Sequence, residues 1–336
     1  MNRTSKILLV ALAAQVALVA VTWSMRGGAP SDDSSPLLPD VALADLTGFT
    51  LVAKAGDAAP KTLSLARKGE AWVVDGADDY PADKKKVEEV LDKVVKARIR
   101  APIAANKANH NALDVGERDF SRQLTLKAGE ATHRLVFGSA KGSSVHARFA
   151  DKDAVYLARG VTAWDLKDTV VSYLDETYVE VEAPDGVKVT NAKGTVSLNK
   201  VDGNWKVAEL PEGVVLDTAA LEAFVNTARS VRLVEPIGKT AKPEFALGGP
   251  DGATVEIKKG DTVTRYQVGS VHSENHRYVK SDTSEWVVTA AMFAIGTLLD
   301  QTPDKFIKKE EPKEAPPGGG MDMPFDPGAL PPGMFQ

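Results

Sequence analysis

The stretch Gly69-Glu70-Ala71-Trp72-Val73-Val74 decides the fold, because it returns later in the chain as Gly203-Asn204-Trp205-Lys206-Val207. Two further stretches return in the same order: Arg98-Ile99-Arg100-Ala101-Pro102-Ile103 as Arg232-Leu233-Val234-Glu235-Pro236-Ile237, and Leu135-Val136-Phe137-Gly138 as Tyr266-Gln267-Val268-Gly269. The spacing is 133 residues from Trp72 to Trp205, 134 from Arg98 to Arg232 and 131 from Leu135 to Tyr266. A solenoid repeats every 20 to 50 residues or so, so this much longer spacing predicts two tandem copies of one whole domain.

Each copy is predicted to begin with short strands joined by tight turns, such as the one at Asp202-Gly203, and to continue into an amphipathic helix. Pro81-Ala82-Asp83 opens that helix in the first copy and Asp217-Thr218 in the second. Further hairpins follow, and a short helix closes each copy, at 161–174 and 290–299. Because strands and helices do not alternate regularly, we expect an α+β fold, an antiparallel sheet packed with one long amphipathic helix and a short closing helix per copy.

The N-terminal part of the chain predicts a membrane anchor. Residues 7–25 carry no charge, follow Arg3 and Lys6, and are just long enough to cross a bilayer. We therefore expect a transmembrane helix or signal anchor there, with residues 1–6 in the cytoplasm and the bulk of the chain in the periplasm of a single-pass inner-membrane protein. A cleaved signal peptide is the alternative, although the end of the run offers no good cleavage site. A buried core helix is the third reading.

The remainder divides by composition. A flexible linker is predicted at 26–44, the first domain at 45–177, the second domain at 178–307, and a disordered tail rich in Pro, Gly and Met at 308–336.

Composition excludes several functions. Lys plus Arg is 41 against 46 for Asp plus Glu, and the two signs are interspersed, so the basic surface that nucleic-acid binding requires is missing. The chain has no cysteine, which excludes disulfides, thiol catalysis and metal sites with cysteine ligands.

Motifs that could carry chemistry are weak. His272-Ser273-Glu274-Asn275-His276 brings two histidines and a carboxylate together, but in a predicted hairpin loop and without the HExxH order. Gly138-Ser139-Ala140-Lys141-Gly142-Ser143 is similar to a phosphate-binding loop but has three residues between its glycines instead of four. The carboxylate pairs Asp78-Asp79 and Glu88-Glu89 are typical of solvated turns and helix faces, and no Gly-x-Ser-x-Gly is present. We therefore predict no catalytic residue, no cofactor and no metal.

Three tryptophans, Trp72, Trp205 and Trp286, recur beside predicted hairpins. Exposed aromatic side chains there would suit sugar binding, but the matching places of Trp72 and Trp205 favour a role in the core of each copy.

With the copies aligned, their motifs resemble the domain-of-unknown-function 4340 family of bacterial envelope proteins, over about residues 45 to 307. The residues that carry the resemblance are Trp72, Pro81-Ala82-Asp83, Ala112-Leu113-Asp114, Phe137-Gly138 and Asp165-Leu166-Lys167-Asp168. The second copy departs from the pattern at Ala246-Leu247-Gly248-Gly249-Pro250. The resemblance implies an anchored protein, often of tandem domains, that accompanies ABC-type transporters of the gliding-motility kind, and it supplies no catalytic residues.

The expected function is a non-catalytic, membrane-anchored envelope scaffold or accessory protein. Its expected partners are the membrane, through the N-terminal helix, and envelope proteins such as transporter subunits. The alternative is a module that binds cell-wall glycan or another polymer in a cleft between the copies.

Overall fold

The computed structural model describes residues 33–54 and 59–308, together with the single residue Gln15. The predicted cytoplasmic residues 1–6, the rest of the predicted anchor at 7–25 and the tail from residue 309 lie outside the described residues. Within the described residues, no helix is both long enough and apolar enough to span a bilayer.

The first half of the chain forms one ten-stranded antiparallel sheet with the order β1-β6-β10-β9-β8-β7-β2-β3-β4-β5. Its strands are β1 (Ser35–Pro36), β2 (Leu46–Ala53), β3 (Lys61–Lys68), β4 (Ala71–Val74), β5 (Tyr80–Pro81), β6 (Arg98–Ile99), β7 (Arg122–Ala128), β8 (Ala131–Lys141), β9 (Ser144–Phe149) and β10 (Val155–Arg159).

The second half forms a nine-stranded antiparallel sheet with the order β11-β15-β19-β18-β17-β16-β12-β13-β14. Its strands are β11 (Thr177–Glu180), β12 (Gly186–Asn191), β13 (Gly194–Val201), β14 (Asn204–Val207), β15 (Ser230–Gly238), β16 (Ala253–Lys259), β17 (Thr262–Ser273), β18 (His276–Ser281) and β19 (Val287–Ala291). Read strand by strand, the two orders correspond, except that β5 has no counterpart in the second sheet.

The described α-helices are few and short: α1 (Lys84–Val95), α2 (Thr218–Arg229), α3 (Met292–Ile295) and α4 (Thr297–Asp300). The expected α+β class, with a long amphipathic helix in each copy, is therefore wrong, and the fold is mostly β. The helical pattern predicted after Asp83 and Asp217 does form helices, but each is only 12 residues long. The sheets set the class because the apolar positions along the strands, more than the helices, supply the two cores.

Both longer helices start and are held in the same way. The side chain of Asp83 accepts hydrogen bonds from the amides of Lys85 and Lys86, and that of Asp217 accepts one from Ala220. These aspartates satisfy amides that the first turn of a helix leaves unpaired. The Asp83 amide also donates to the carbonyl of Tyr173 at 2.8 Å, and the Asp217 amide to that of Phe306 at 2.8 Å. A buried aromatic residue thus closes each copy over its helix.

The cores lie between each sheet and its helix. In β2 the buried residues Leu46, Phe49, Leu51 and Ala53 lie among less buried ones, the pattern of a strand with one covered face. Val87, Leu91 and Val94 supply the buried stripe of α1.

The ordered fold also includes part of the stretch for which a flexible linker at 26–44 was predicted. β1 pairs with β6, and Leu37 and Leu38 are buried in the first core. The Leu37 amide donates to the carbonyl of Ala97 at 2.7 Å. Ser35–Pro36 therefore belongs to the first sheet, and Leu37 and Leu38 belong to its core.

Candidate functional site

The two histidines of the 272–276 segment make hydrogen bonds with nearby side chains. His272 lies 2.7 Å from the Tyr278 hydroxyl through Nδ1, and His276 lies 3.1 Å from the Ser273 hydroxyl through Nδ1. Glu274 is in the turn that joins β17 to β18. No group of three or more potential ligands suited to a metal ion is found among the described residues.

The other weak motifs also have structural places. Gly138 to Lys141 continue β8, and Gly142-Ser143 form the turn into β9, so no helix follows the glycine-rich stretch. Glu88 and Glu89 lie on the outer face of α1, 3.8 Å from Lys84 and 3.9 Å from Lys93 respectively.

Gly138 instead serves the family-like loop at Ala112-Leu113-Asp114. A Cβ atom on Gly138 would lie 2.1 Å from the carbonyl oxygen of Leu113, so only glycine lets the loop pack this closely. In the second copy, Gly269 stands in the same relation to the carbonyl of Phe245, also at 2.1 Å. Asp114 and Ala246, each the residue just after a closely packed carbonyl, have left-handed backbones with φ of 54° and 43°. These motifs therefore hold a loop against a strand.

The three tryptophans have different environments. Trp72 is only 1% exposed, as expected for a core residue. Trp205, its counterpart, lies within β14 and is only partly buried against the second core. Trp286 lies between the copies: its indole NH donates to the carbonyl of Asp78 at 3.0 Å, and the Lys239 ammonium lies 4.5 Å from its ring centre.

The contact around Trp286 joins the two copies, and we call it the junction, made of Asp78, Tyr80, Lys239 and Trp286. The Tyr80 and Trp286 rings meet edge to face with centres 5.3 Å apart. The amide of Lys239 donates to the Asp78 carboxylate at 2.7 Å. Burial raises the pKa of Tyr80 to about 12, with the neighbouring Tyr178 and Asp175 adding to the effect, so that its hydroxyl stays protonated.

Asp78 was singled out from the sequence as half of a carboxylate pair, for which a solvated turn was the expected role. Asp78 and Asp79 both have left-handed backbones, with φ of 49° and 61°. Asp79 faces Lys68, whereas Asp78 bonds the second copy through its carboxylate and its carbonyl. No spacing in the sequence reveals this contact, because its partners are more than 150 residues away.

Beside β14 lies a groove of about 600 Å³ between that strand and the segment that follows it, which we call the edge groove. Most of its lining residues are apolar, and two of them, Lys206 and Glu212, carry charge. They are formed by Asn204, Trp205, Lys206, Val207, Ala208, Leu210, Pro211, Glu212, Gly213, Val214 and Leu216.

Two large aromatic side chains point into solvent and were not singled out from the sequence. Trp164 is 77% exposed and Phe293 is 92% exposed. Trp164 lies between β10 and a 3₁₀ helix at Val170–Tyr173, and Phe293 lies in α3, between β19 and a 3₁₀ helix at Pro303–Phe306. Each stands two residues before a buried aliphatic side chain, Leu166 or Ile295. We call Trp164 and Phe293 the exposed aromatic pair. The sequence could not reveal it, because both residues stand close to apolar residues that are buried, Leu166 and Ile295.

A protein-family model described as a domain of unknown function, DUF4340, matches residues 72–250. This span covers more than half of the 336 residues, and the chain belongs to that family. The match runs from β4 in the first sheet to the residues just before β16 in the second, so it includes the loop of Asp78 and the edge groove. No curated protein and no solved structure matches the chain.

Proposed function

We propose that the protein is a non-catalytic, membrane-anchored accessory or scaffold protein of the cell envelope that binds other envelope proteins through the exposed aromatic pair. An ABC-type transporter of the gliding-motility kind is the proposed partner, on the strength of the family resemblance. The observation that carries the proposal is that each copy exposes one large aromatic ring in the corresponding segment.

Exposed apolar patches are typical of surfaces that bind a protein or a membrane. Isolated exposed apolar residues are common on any protein. Two rings in corresponding segments of two copies are less readily attributed to this background. Aromatic residues are also enriched among the residues that contribute most to protein interfaces.

The exposed loop of the first copy is held firmly. The Asp165 carboxylate, next to Trp164, accepts hydrogen bonds from the Thr162 amide at 2.8 Å and the Thr162 hydroxyl at 2.7 Å, and pairs with Lys93 at 2.8 Å. A fixed loop loses little conformational entropy when it binds, which favours affinity.

The test is a pull-down of the full chain from solubilised membranes. Wild type is expected to capture transporter subunits. The double variant Trp164→Ala, Phe293→Ala is expected to capture at least 10-fold less of them than wild type. Val271→Ala is the matched control, because Val271 is also exposed but lies in β17 outside the pair. Equal capture by wild type and the double variant would contradict the proposal, as would capture of no envelope protein at all.

The alternative, glycan binding in a cleft between the copies, has less support. Trp72 is buried, and the Trp286 ring is contacted by Tyr80 and Lys239. Sedimentation with purified peptidoglycan, abolished by Trp286→Ala but not by Val271→Ala, would favour it over the scaffold.

A further inference from the structure

The two copies differ at one sheet edge. In the first copy, β4 is covered by β5, with Val74 opposite Tyr80 and Val73 opposite Pro81. In the second copy, β14 ends the sheet, and no strand of the described residues lies on its outer side. We call that outer side the open edge.

The outward backbone groups can be assigned from the hydrogen bonds. The Ala208 amide donates to the carbonyl of Ser197 at 2.9 Å. Because hydrogen-bonded and non-hydrogen-bonded pairs alternate along an antiparallel ladder, the backbone NH and CO groups of Trp205 and Val207 point away from β13. In the first copy, the Asp75 amide donates to the carbonyl of Ser64, so the backbone NH and CO groups of Trp72 point toward β5 by the same alternation. The Trp72 carbonyl accepts a hydrogen bond from the Ala82 amide at 2.8 Å. The carbonyl of Trp205 has no such donor among the described residues. The open edge therefore presents the groups that β5 satisfies in the first copy.

The segment of the second copy that corresponds to β5 does not pair with β14. Val214–Leu216 precedes α2 as Tyr80–Ala82 precedes α1, but Leu216 pairs with Ile307 instead of with β14. The edge groove occupies the space between this segment and the open edge.

We propose that the C-terminal segment of this same chain, residues 309–336, lies in the edge groove and adds a strand to the open edge. The first argument is where the described chain ends. The Lys308 amide donates to the carbonyl of Val215 at 2.9 Å, and the neighbours of Val215 on both sides line the groove. The 28 residues beyond it could extend about 90 Å, far more than needed to turn into the groove.

The second argument is the chemistry of the segment. It carries apolar side chains that fit an apolar groove: Met321, Met323, Phe325, Leu330, Met334 and Phe335. Its prolines are compatible with an edge strand, where proline is tolerated. The strand that covers the first copy is itself an apolar residue followed by proline, Tyr80-Pro81, as are Met323-Pro324 and Leu330-Pro331.

The absence of cysteine from the chain allows a direct test. Glu212→Cys on the groove wall is combined with Met323→Cys in the full chain, and disulfide formation is followed under mild oxidation at low protein concentration. The control pair combines Met323→Cys with Lys193→Cys, an exposed position in the turn between β12 and β13. The intramolecular disulfide is expected to form at least 10-fold faster in the groove pair.

Three outcomes would overturn the proposal. Equal rates for the two pairs would show that the segment does not favour the groove. Disulfide-linked dimers would show that the tail of a second copy fills it. No disulfide in the groove pair would leave the groove to a different partner.

Hydrogen exchange supplies a measurement that does not depend on cysteine. The Trp205 amide is expected to exchange at least 10-fold faster in the full-length triple variant Met321→Asp, Met323→Asp, Phe325→Asp than in wild type, because the charged segment leaves the apolar groove. The Trp72 amide, under β5, is the internal control and should not change. Unchanged exchange at Trp205 would refute the added strand.

Discussion

At the scale of single residues, Asp78 contributes more than its charge. Its left-handed backbone aims the carbonyl at Trp286 while its carboxylate holds the Lys239 amide. Aspartate and asparagine tolerate this backbone better than other non-glycine residues.

We expect Asp78→Ala to lower the free energy of unfolding by about 2 kcal/mol, from the lost hydrogen bond and the added strain. Asp78→Asn should lie within about 0.5 kcal/mol of wild type, since its amide oxygen can accept the same bond. Urea unfolding of both variants measures the difference. An alanine variant as stable as the asparagine variant would rule out this role.

Asp165 should give the protein a measurable pH dependence. Burial raises the pKa of its carboxyl group, but hydrogen bonds from Lys93 and Thr162 lower it by more, so the pKa lies below its ordinary value. A carboxyl group with a lowered pKa stabilises the fold above its unfolded pKa of about 3.9, and the stabilisation is lost as the pH falls through the folded pKa.

Asp165→Asn should therefore be less stable than wild type at pH 7, by about 1 kcal/mol, and the gap should close as the pH falls below about 4. Chemical denaturation at pH 7 and pH 2.5 checks this. Asp168→Asn, three residues on, serves as the control. A gap that stays constant with pH would be inconsistent with an effect of the charge.

Single residues were also where the sequence was least informative. Leu37 and Leu38 stand among polar residues in the stretch predicted as a linker, yet both are buried in the first core, because the preceding strand β1 pairs with β6. Trp164 and Phe293 are each two residues away from a buried apolar side chain and are themselves exposed. Neither outcome follows from local pattern, since long-range packing decides both.

At the scale of elements, the loop-to-strand contact at Gly269 leads to a prediction about Ala246. Alanine has a left-handed backbone there, which costs about 1 kcal/mol or more that glycine does not incur. We expect Ala246→Gly to raise the free energy of unfolding by up to about 1 kcal/mol.

Thermal unfolding of Ala246→Gly would test this, with Asp114→Gly as the counterpart in the first copy. The gain should be smaller for Asp114→Gly, because aspartate tolerates the left-handed backbone better than alanine does. A loss of stability in Ala246→Gly would show that the methyl group packs favourably enough to outweigh the strain.

Elements were more predictable than their class. The hairpin around Asp202-Gly203 and the helix starts at Asp83 and Asp217 are local features, and the structure has all three. The prediction of the fold class was wrong because the helical pattern in each copy suggests a dominant helix. In the structure, each of these helices has only 12 residues and packs on a sheet of nine or ten strands. The uncovered side of β14 could not be foreseen, because it depends on where Val214–Leu216 goes.

At the scale of the whole molecule, the core of the second copy extends across the junction into the first copy. Val74, Ala77 and Tyr80 of the first copy belong to the same buried cluster as Leu221 and Phe224 of the second. Copies that share apolar burial should unfold together.

We therefore expect calorimetry of wild type to show one transition for the folded part, and the variant Tyr80→Ala, Trp286→Ala to show two. Phe293→Ala is the control and should keep one, because its ring is in solvent. Two transitions in wild type would mean that the contact between the copies is too weak to couple them.

The position of β1 near the N-terminus limits how far the first copy can lie from the predicted membrane span. The predicted span ends at Met25 and β1 begins at Ser35, whose neighbour Ser34 is held by the Arg98 side chain. Nine residues lie between, and at full extension they reach only about 30 Å. If residues 7–25 cross the bilayer, the start of β1 lies within about 30 Å of the membrane surface. A partner that binds the first copy must then present its binding surface close to the lipid headgroups.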